Sequence, residues 1–473
     1  MTVPDFQTVT YDHPTSANVK TTTGKRVSET AVPTAHRQRA SLRAGRRRAG
    51  AALAGAILLS GCSDVSSLVK DARTRLVGAP NPYQAGYVGD VVADEPRAAM
   101  AARDVLARGG NAADAATTLA LALSVTLPSR ASLGGGGVCL ARDARSRTPR
   151  AFQFLPHPGT GTQADRPAAV PMLLRGIVAM QAAQGHVQFR DLVQPATNLA
   201  RQGVQVSKAL ADDLAVVATP LLADAQAASV FGNGQGGVLA IGDTLVQPQL
   251  AATLDGIARG DGTEMYTGAL GLTFAAAADD AHAGITAADL RAAVPQTTDP
   301  LTLADGATTV SFAPDAGGTA AAAQYGRLQS GGAVSGAGGV LPASTSFVVT
   351  DAQGGAVACA LTMDNLFGNG RIAPGTGIVM AASPASHPLP LLPAAIAQRG
   401  SAPVAVVAAS GQADAAAEAA SALYQAVHGG NAASITPATA QGRANVIACP
   451  NGTASSCTVH TDQRGAGLAL TSG

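Results

Sequence analysis

From residue 86 onward, apolar and polar positions fall into alternating and helical runs. Gly86 to Ala93 alternates as a strand. Pro96 suits the first turn of a helix running to Arg108. Gly109-Gly110 is placed to end that helix in a left-handed conformation, and Asn111 to cap the next one. Asp114, at the third position, complements the exposed amides and the dipole. This second helix runs through Ala115 to Val125, stops before Pro128 and leads through Gly134 to Gly137 into a strand, Val138 to Ala141. Four glycines without a following Lys-Ser/Thr do not make a phosphate loop, so they read as close backbone packing.

Residues 170 to 205 read as helices broken by Gly185, Pro195 and Gly203, and residues 248 to 295 carry further helical patterns. Between Gly306 and Gly339 the chain is rich in Gly, Ala and Ser, which predicts a flexible connector. Two alternating runs follow, Ser346 to Thr350 and Ala356 to Thr362. The turn Asp351 to Gly355 joins them into a hairpin. The tail gives a strand at Val404 to Ala408, a helix at Ala413 to Val427 and a closing pair of strands within Asn445 to Leu470. Strands grouped apart from helix blocks predict an α+β fold of stacked sheets covered by helices, not a nucleotide-binding parallel sheet.

Residues 1 to 45 differ: they are polar, without period and rich in Thr, Ser and Arg, so they bury too little to offset their ordering entropy. They read as disordered, or as sequence upstream of the true start. Arg46-Arg47-Arg48, the apolar run Ala49 to Leu59 and the quartet Leu59-Ser60-Gly61-Cys62 follow in the order of a signal peptide. Eleven apolar residues are too few to span a bilayer. The quartet resembles a bacterial lipobox, which implies export, lipidation of Cys62 and a membrane anchor at the periplasmic face of the envelope. Ser63 after the cysteine favours the outer membrane. A linker, residues 63–85, then leads to the folded body.

Composition narrows the function. A net charge of +1 with 13% charged residues gives no electrostatic footprint for nucleic acid. With 47% hydrophobic but only 3% aromatic residues, the core must be built mainly from Ala, Val and Leu. Export would let disulfides persist. Cys449 and Cys457 flank the turn-rich Pro450-Asn451-Gly452, which suits a bridge closing a hairpin. Cys139 and Cys359 lie in apolar strand-like runs and read as small buried thiols in preference to a second bridge. His157, His186, His282, His387, His428 and His460 show no paired ligand spacing, so a metal site is not expected.

The corner Gly109-Gly110-Asn111-Ala112-Ala113-Asp114-Ala115, followed by Leu123-Ser124-Val125 and Leu133 to Gly137, resembles the opening signature of γ-glutamyltransferases. The likeness continues in order through Asp191 to Ala196, Leu250 to Leu254, Tyr266-Thr267-Gly268 and Ile285-Thr286, and ends at Asp462-Gln463-Arg464-Gly465. It implies a four-layer αββα sandwich of the N-terminal-nucleophile hydrolase type. In that family a precursor cuts itself and frees a Thr whose hydroxyl attacks and whose own α-amine serves as base, a part that a Ser can also play. The chemistry needs this because a hydroxyl is a poor nucleophile until an adjacent base accepts its proton, and it needs no cofactor. The family's nucleophile strand corresponds to Ser344-Thr345-Ser346-Phe347-Val348-Val349-Thr350-Asp351, followed by Thr362 and Phe367-Gly368. Ser344 takes the nucleophile's place, with cleavage after Ala343, and Thr362 matches the threonine that hydrogen-bonds it. Thr345 is the alternative nucleophile if the register slips by one. An ordinary strand serine is the competing reading of Ser344.

The same correspondence shows where the chain departs from the family. Leu155 stands where an Arg binds the substrate carboxylate, with Arg150 a few residues before it as a substitute. Ser386, in the run with Ser383, stands where an Asp binds the ammonium, and Asp364 replaces an Asn that helps hold it. Ser410-Gly411 is what remains of an oxyanion turn. The resemblance therefore implies a large-subunit-like region, residues 86–343, and a small-subunit-like region, residues 344–473. Together they would form a self-processing amidohydrolase or acyltransferase acting on glutathione or other small γ-glutamyl or amide compounds. The alternative is an inactive envelope lipoprotein that keeps the fold as a binding or structural module.

Overall fold

The pleat of two sheets decides what lies between them and what lies outside. In the computed structural model, which describes residues 83–471 except 163–164, 337, 339–342 and 453–455, seven strands form one sheet and six another. The leader with Cys62, and all but the last three residues of the linker, lie outside the described residues. In chain order the strands are β1 (Gly89–Ala93), β2 (Gly136–Arg142), β3 (Pro149–Phe154), β4 (Gln296–Thr298), β5 (Leu301–Asp305), β6 (Thr308–Phe312), β7 (Ser344–Asp351), β8 (Ala356–Thr362), β9 (Ala394–Arg399), β10 (Ala402–Ser410), β11 (Arg443–Ala448), β12 (Thr458–Thr461) and β13 (Leu468–Thr471). The first sheet has the order β13-β1-β7-β8-β2-β3-β4 and the second β12-β11-β10-β9-β6-β5. Every pairing in both is antiparallel.

Successive side chains of a strand point to opposite faces, and the burial follows that rule. Val92, Val138, Leu140, Val348, Ala358 and Ala360 meet Ile396, Val406, Ala408 and Ile447 in a core between the sheets. Cys139, Phe347, Val349 and Leu361 face the other way, into a core shared with helices α1 (Pro96–Ala107), α2 (Ala112–Thr126), α3 (Leu173–Gln184) and α4 (Phe189–Gln202). Val310, Val407, Ala409 and Val446 pack outward under α5 (Ala316–Gln329) and α6 (Ala415–Gly429). The result is the expected helix-sheet-sheet-helix stack.

The corner at Gly109 forms as read. Asn111 accepts from Asp114 N–H at 2.9 Å and Asp114 accepts from Asn111 N–H at 3.1 Å, a complete capping box. The hairpin also forms. Asp351 Oδ1 accepts from Gln353 N–H at 2.9 Å and Gly355 N–H at 2.7 Å, while its Oδ2 accepts from Ala112 N–H at 2.9 Å. One buried carboxylate thus ties the amino end of α2 to the strand that begins at Ser344.

Three expectations are corrected. The stretch read as a flexible connector contains β6 and α5. Its glycines serve contact: an added Cβ on Gly317 would meet Leu392 N at 2.2 Å, and one on Gly318 the Ala313 carbonyl at 1.8 Å. Asp315, pushed up to about 6 by burial, caps that helix through Gly317 and Gly318 N–H. Pro195 sits inside α4 without ending it. The carbonyl it leaves unpaired is that of Asp191, an exposed residue where water can serve. Cys139 and Cys359 are bridged, because the register of β2 and β8 puts them directly opposite with Cα atoms 4.1 Å apart. The Cys449–Cys457 bridge is present as expected.

Candidate active site

Ser344 begins β7 and is paired across the ladder with Thr362, the last residue of β8. By the alternation that sends Val348 and Ala360 between the sheets, both side chains point there too. Both are fully buried. Thr362 Oγ1 donates to the Ala343 carbonyl at 3.0 Å, and Met363 N–H donates to the same oxygen at 3.2 Å. Asp364 N–H donates to Thr362 Oγ1 at 2.8 Å, which leaves that hydroxyl's proton free for Ala343. The carbonyl of the Ala343–Ser344 peptide bond therefore carries two donors, an arrangement that stabilises negative charge developing on oxygen.

From the second sheet, Gly411 N–H donates to Ser344 Oγ at 3.3 Å. Gly411 sits at φ +109°, and a Cβ there would meet the Gln441 carbonyl at 2.5 Å, so only glycine brings this amide to the serine. Ser410 does not point its hydroxyl at Ser344 but donates to Asp94 Oδ2 at 3.4 Å. Asp94, the residue after β1, also accepts from Thr345 Oγ1 at 2.9 Å, Ser346 N–H at 3.0 Å and Asn445 Nδ2 at 2.8 Å. Asn445 Nδ2 lies 2.8 Å from the Ser346 carbonyl as well. This network locks β7 and occupies the hydroxyl of Thr345, the residue next to Ser344.

Asp364 is 3% exposed, its φ is +64°, and neither carboxylate oxygen has a hydrogen-bond partner among the described residues. Burial alone pushes it up to about 7. Ser383 is buried, its N–H donating to the Pro167 carbonyl at 3.0 Å, whereas Ser386 is exposed on the following turn. Leu155 is half-buried against the inter-sheet core. Arg150 is ion-paired with Asp299 five residues earlier along β3, roughly 16 Å away at strand spacing, so it does not replace the missing cation. Arg443 is better placed: it lies opposite Ser410 across the β10–β11 ladder, on the face that carries Asn445. Its Nη1 is shielded from solvent and lacks a hydrogen-bond partner among the described residues.

Sequence reasoning missed Asp94, Asn445 and Arg443. Polar residues at alternate positions of an otherwise apolar strand, Arg443 and Asn445 before Ile447, were the available signal. Among the described residues, no three His, Cys, Asp or Glu side chains are grouped to hold a metal ion.

Parts of the chain are similar to known proteins. The family profile described as Gamma-glutamyltranspeptidase matches residues 98–330. The Glutathione hydrolase proenzyme of Escherichia coli is 33% identical over 199 residues, which covers 38% of this chain and 34% of that protein. Glutathione hydrolase 2 of Arabidopsis thaliana is 29% identical over 218 residues, 43% of this chain and 37% of that protein. The chain thus aligns with only about a third of the length of these curated relatives. Among solved structures, the cephalosporin acylase from Bacillus halodurans superposes with a TM-score of 0.67 at 16% identity, covering 83% of this chain and 98% of that one. That likeness is one of fold. The matched family profile ends at residue 330, before Ser344.

Proposed function

We propose that this chain, which matches the γ-glutamyltranspeptidase profile over residues 98–330, is a divergent relative of that family and a self-processing amidohydrolase or acyltransferase whose nucleophile is Ser344. The observation that carries the reading is the pair of donors, Thr362 Oγ1 and Met363 N–H, converging on the Ala343 carbonyl beside the Ser344 hydroxyl. In self-processing, Ser344 Oγ adds to the Ala343 carbonyl carbon and the two donors hold the resulting oxyanion. The C–N bond then breaks as the Ser344 nitrogen takes up a proton, which leaves Ala343 as an ester on Oγ. Water hydrolyses the ester to an Ala343 carboxylate and a free Ser344 amine and hydroxyl.

That freed amine lies beside Oγ and serves as the base for attack on an external amide. Gly411 N–H, now the nearest donor to Oγ, is available to the substrate's oxyanion. Among the described residues, the Asp364 carboxylate oxygens and Arg443 Nη1 lack hydrogen-bond partners, and both groups are assigned to the acyl group. Together they suit an acyl group bearing both an ammonium and a carboxylate, each of which is costly to bury unpaired. γ-Glutamyl amides such as glutathione have that charge pattern. The second reading, an inactive binding module, accounts for the Met363 N–H as the next rung of the β7–β8 ladder but gives the Thr362 hydroxyl no role beyond structure. Export and anchoring through Cys62 belong to the same proposal, and fatty-acid labelling of cells tests them: unlabelled full-length protein would reject them.

The direct test of substrate class compares γ-glutamyl anilide with glutaryl anilide, which lacks the ammonium, and with a neutral acyl anilide. Release of aniline is expected to be fastest from the γ-glutamyl compound and absent in Ser344→Ala. Equal rates for all three would refute the charged clamp, and no release from any would refute the catalytic reading.

A further inference from the structure

Cys139 and Cys359 lie on opposite sides of the Ala343–Ser344 peptide bond, 220 residues apart, yet they are joined. Both are fully buried, on the helix-covered face of the seven-stranded sheet, at the seam where β2 meets β8. The other bridge, Cys449–Cys457, lies wholly within the segment after Ser344. We infer that the processed protein is a covalent heterodimer, its two chains held together by the Cys139–Cys359 disulfide after the main chain is cut. This rests on the self-processing proposed above.

The order of the sheet explains why such a link matters. After cleavage, β1, β2, β3 and β4 belong to one chain and β7, β8 and β13 to the other. Three of the six ladders, β13–β1, β1–β7 and β8–β2, then join different chains. Without a covalent link, any unfolding that opens these seams lets the chains diffuse apart, and recovery depends on concentration. With the bridge, the chains stay at a fixed effective concentration and reassembly is intramolecular. Forming the bridge removes two protons and two electrons from the thiols, and a disulfide-carrying oxidant takes them up and leaves as a dithiol. Hydrolysis at Ala343–Ser344 consumes water and leaves the S–S bond untouched.

The experiment is denaturing electrophoresis of the full purified protein, alkylated before unfolding, with and without dithiothreitol. One band without reductant and two with it are the expected result. Cys139→Ser should give two bands in both lanes, and Cys449→Ser should not change the wild-type pattern. Two bands from the wild type without reductant would overturn the inference and leave self-processing intact. A single band in both lanes would instead count against self-processing. In that case a variant with a specific protease site inserted after Gly338 is cut and run on the same gel. Fragments that separate without reductant overturn the bridge, and fragments that separate only with it support the link independently of self-cleavage.

Discussion

Asp364→Asn should make the protein more stable, and only above acidic pH. Asp364 is buried with no hydrogen-bond partner for either oxygen among the described residues, and burial pushes its carboxyl up to about 7 in the folded chain, against roughly 4 when unfolded. Between those values the folded state holds a proton that the unfolded state has lost, so stability falls as pH rises. The slope is about 1.4 kcal/mol per pH unit, and the whole loss amounts to about 4 kcal/mol at most by pH 8. Asparagine keeps the shape and removes the charge. The comparison is best made by urea denaturation in a Ser344→Ala background, so that one uncut chain is measured. The variant should match its parent near pH 4 and exceed it by up to about 4 kcal/mol at pH 8. An equal difference at both pH values, or a less stable variant at pH 8, would refute the claim that Asp364 is an unpaired buried acid.

Thr362→Val removes one of two donors to the Ala343 carbonyl and should slow self-cleavage by about 10²–10³-fold, with Thr362→Ser largely restored; the time course of chain cleavage measures both. Arg443→Ala should raise KM for acyl groups carrying a carboxylate by about 10- to 100-fold, the worth of a charge-assisted hydrogen bond. It should leave a neutral acyl anilide unaffected. Asp94→Ala strands the donors of Thr345, Ser346 and Asn445, so it should cost about 3 kcal/mol or more in denaturant unfolding and slow cleavage without changing the cleavage position.

What was legible in the sequence was what local rules control. The capping box at Asn111 and Asp114, the Gly109 corner and the hairpin at Asp351 need only neighbours within a few residues, and their residue types announce them. The grouping of strands apart from helix blocks pointed to stacked sheets covered by helices, and the family resemblance added the four-layer order. The misses are cases where distant chain decides. Gly317 and Gly318 have the composition of a linker, and only the approach of Leu392 and Ala313 shows them to be packing positions. The Cys139–Cys359 bridge depends on β2 pairing with β8 in one register, and either cysteine alone reads as a small apolar residue. Asp94, just after β1, and Asn445 and Arg443, both on β11, come together only when two sheets face each other. At the departures from the family pattern, Leu155 and Ser386 are uncharged where the resemblance implies an Arg and an Asp. Among the described residues, Asp364 has no hydrogen-bond partner on either carboxylate oxygen and Arg443 has none on Nη1.

The central claim, that the Ala343–Ser344 peptide bond is cut by the chain itself, is tested most directly by mass spectrometry of the purified, reduced protein with amino-terminal sequencing of its fragments. The account predicts a fragment of about 13 kDa, by chain-length scaling, that begins Ser344-Thr345-Ser346-Phe347, and its absence from Ser344→Ala. A wild-type chain that stays whole, or a fragment beginning at Thr345, would contradict it.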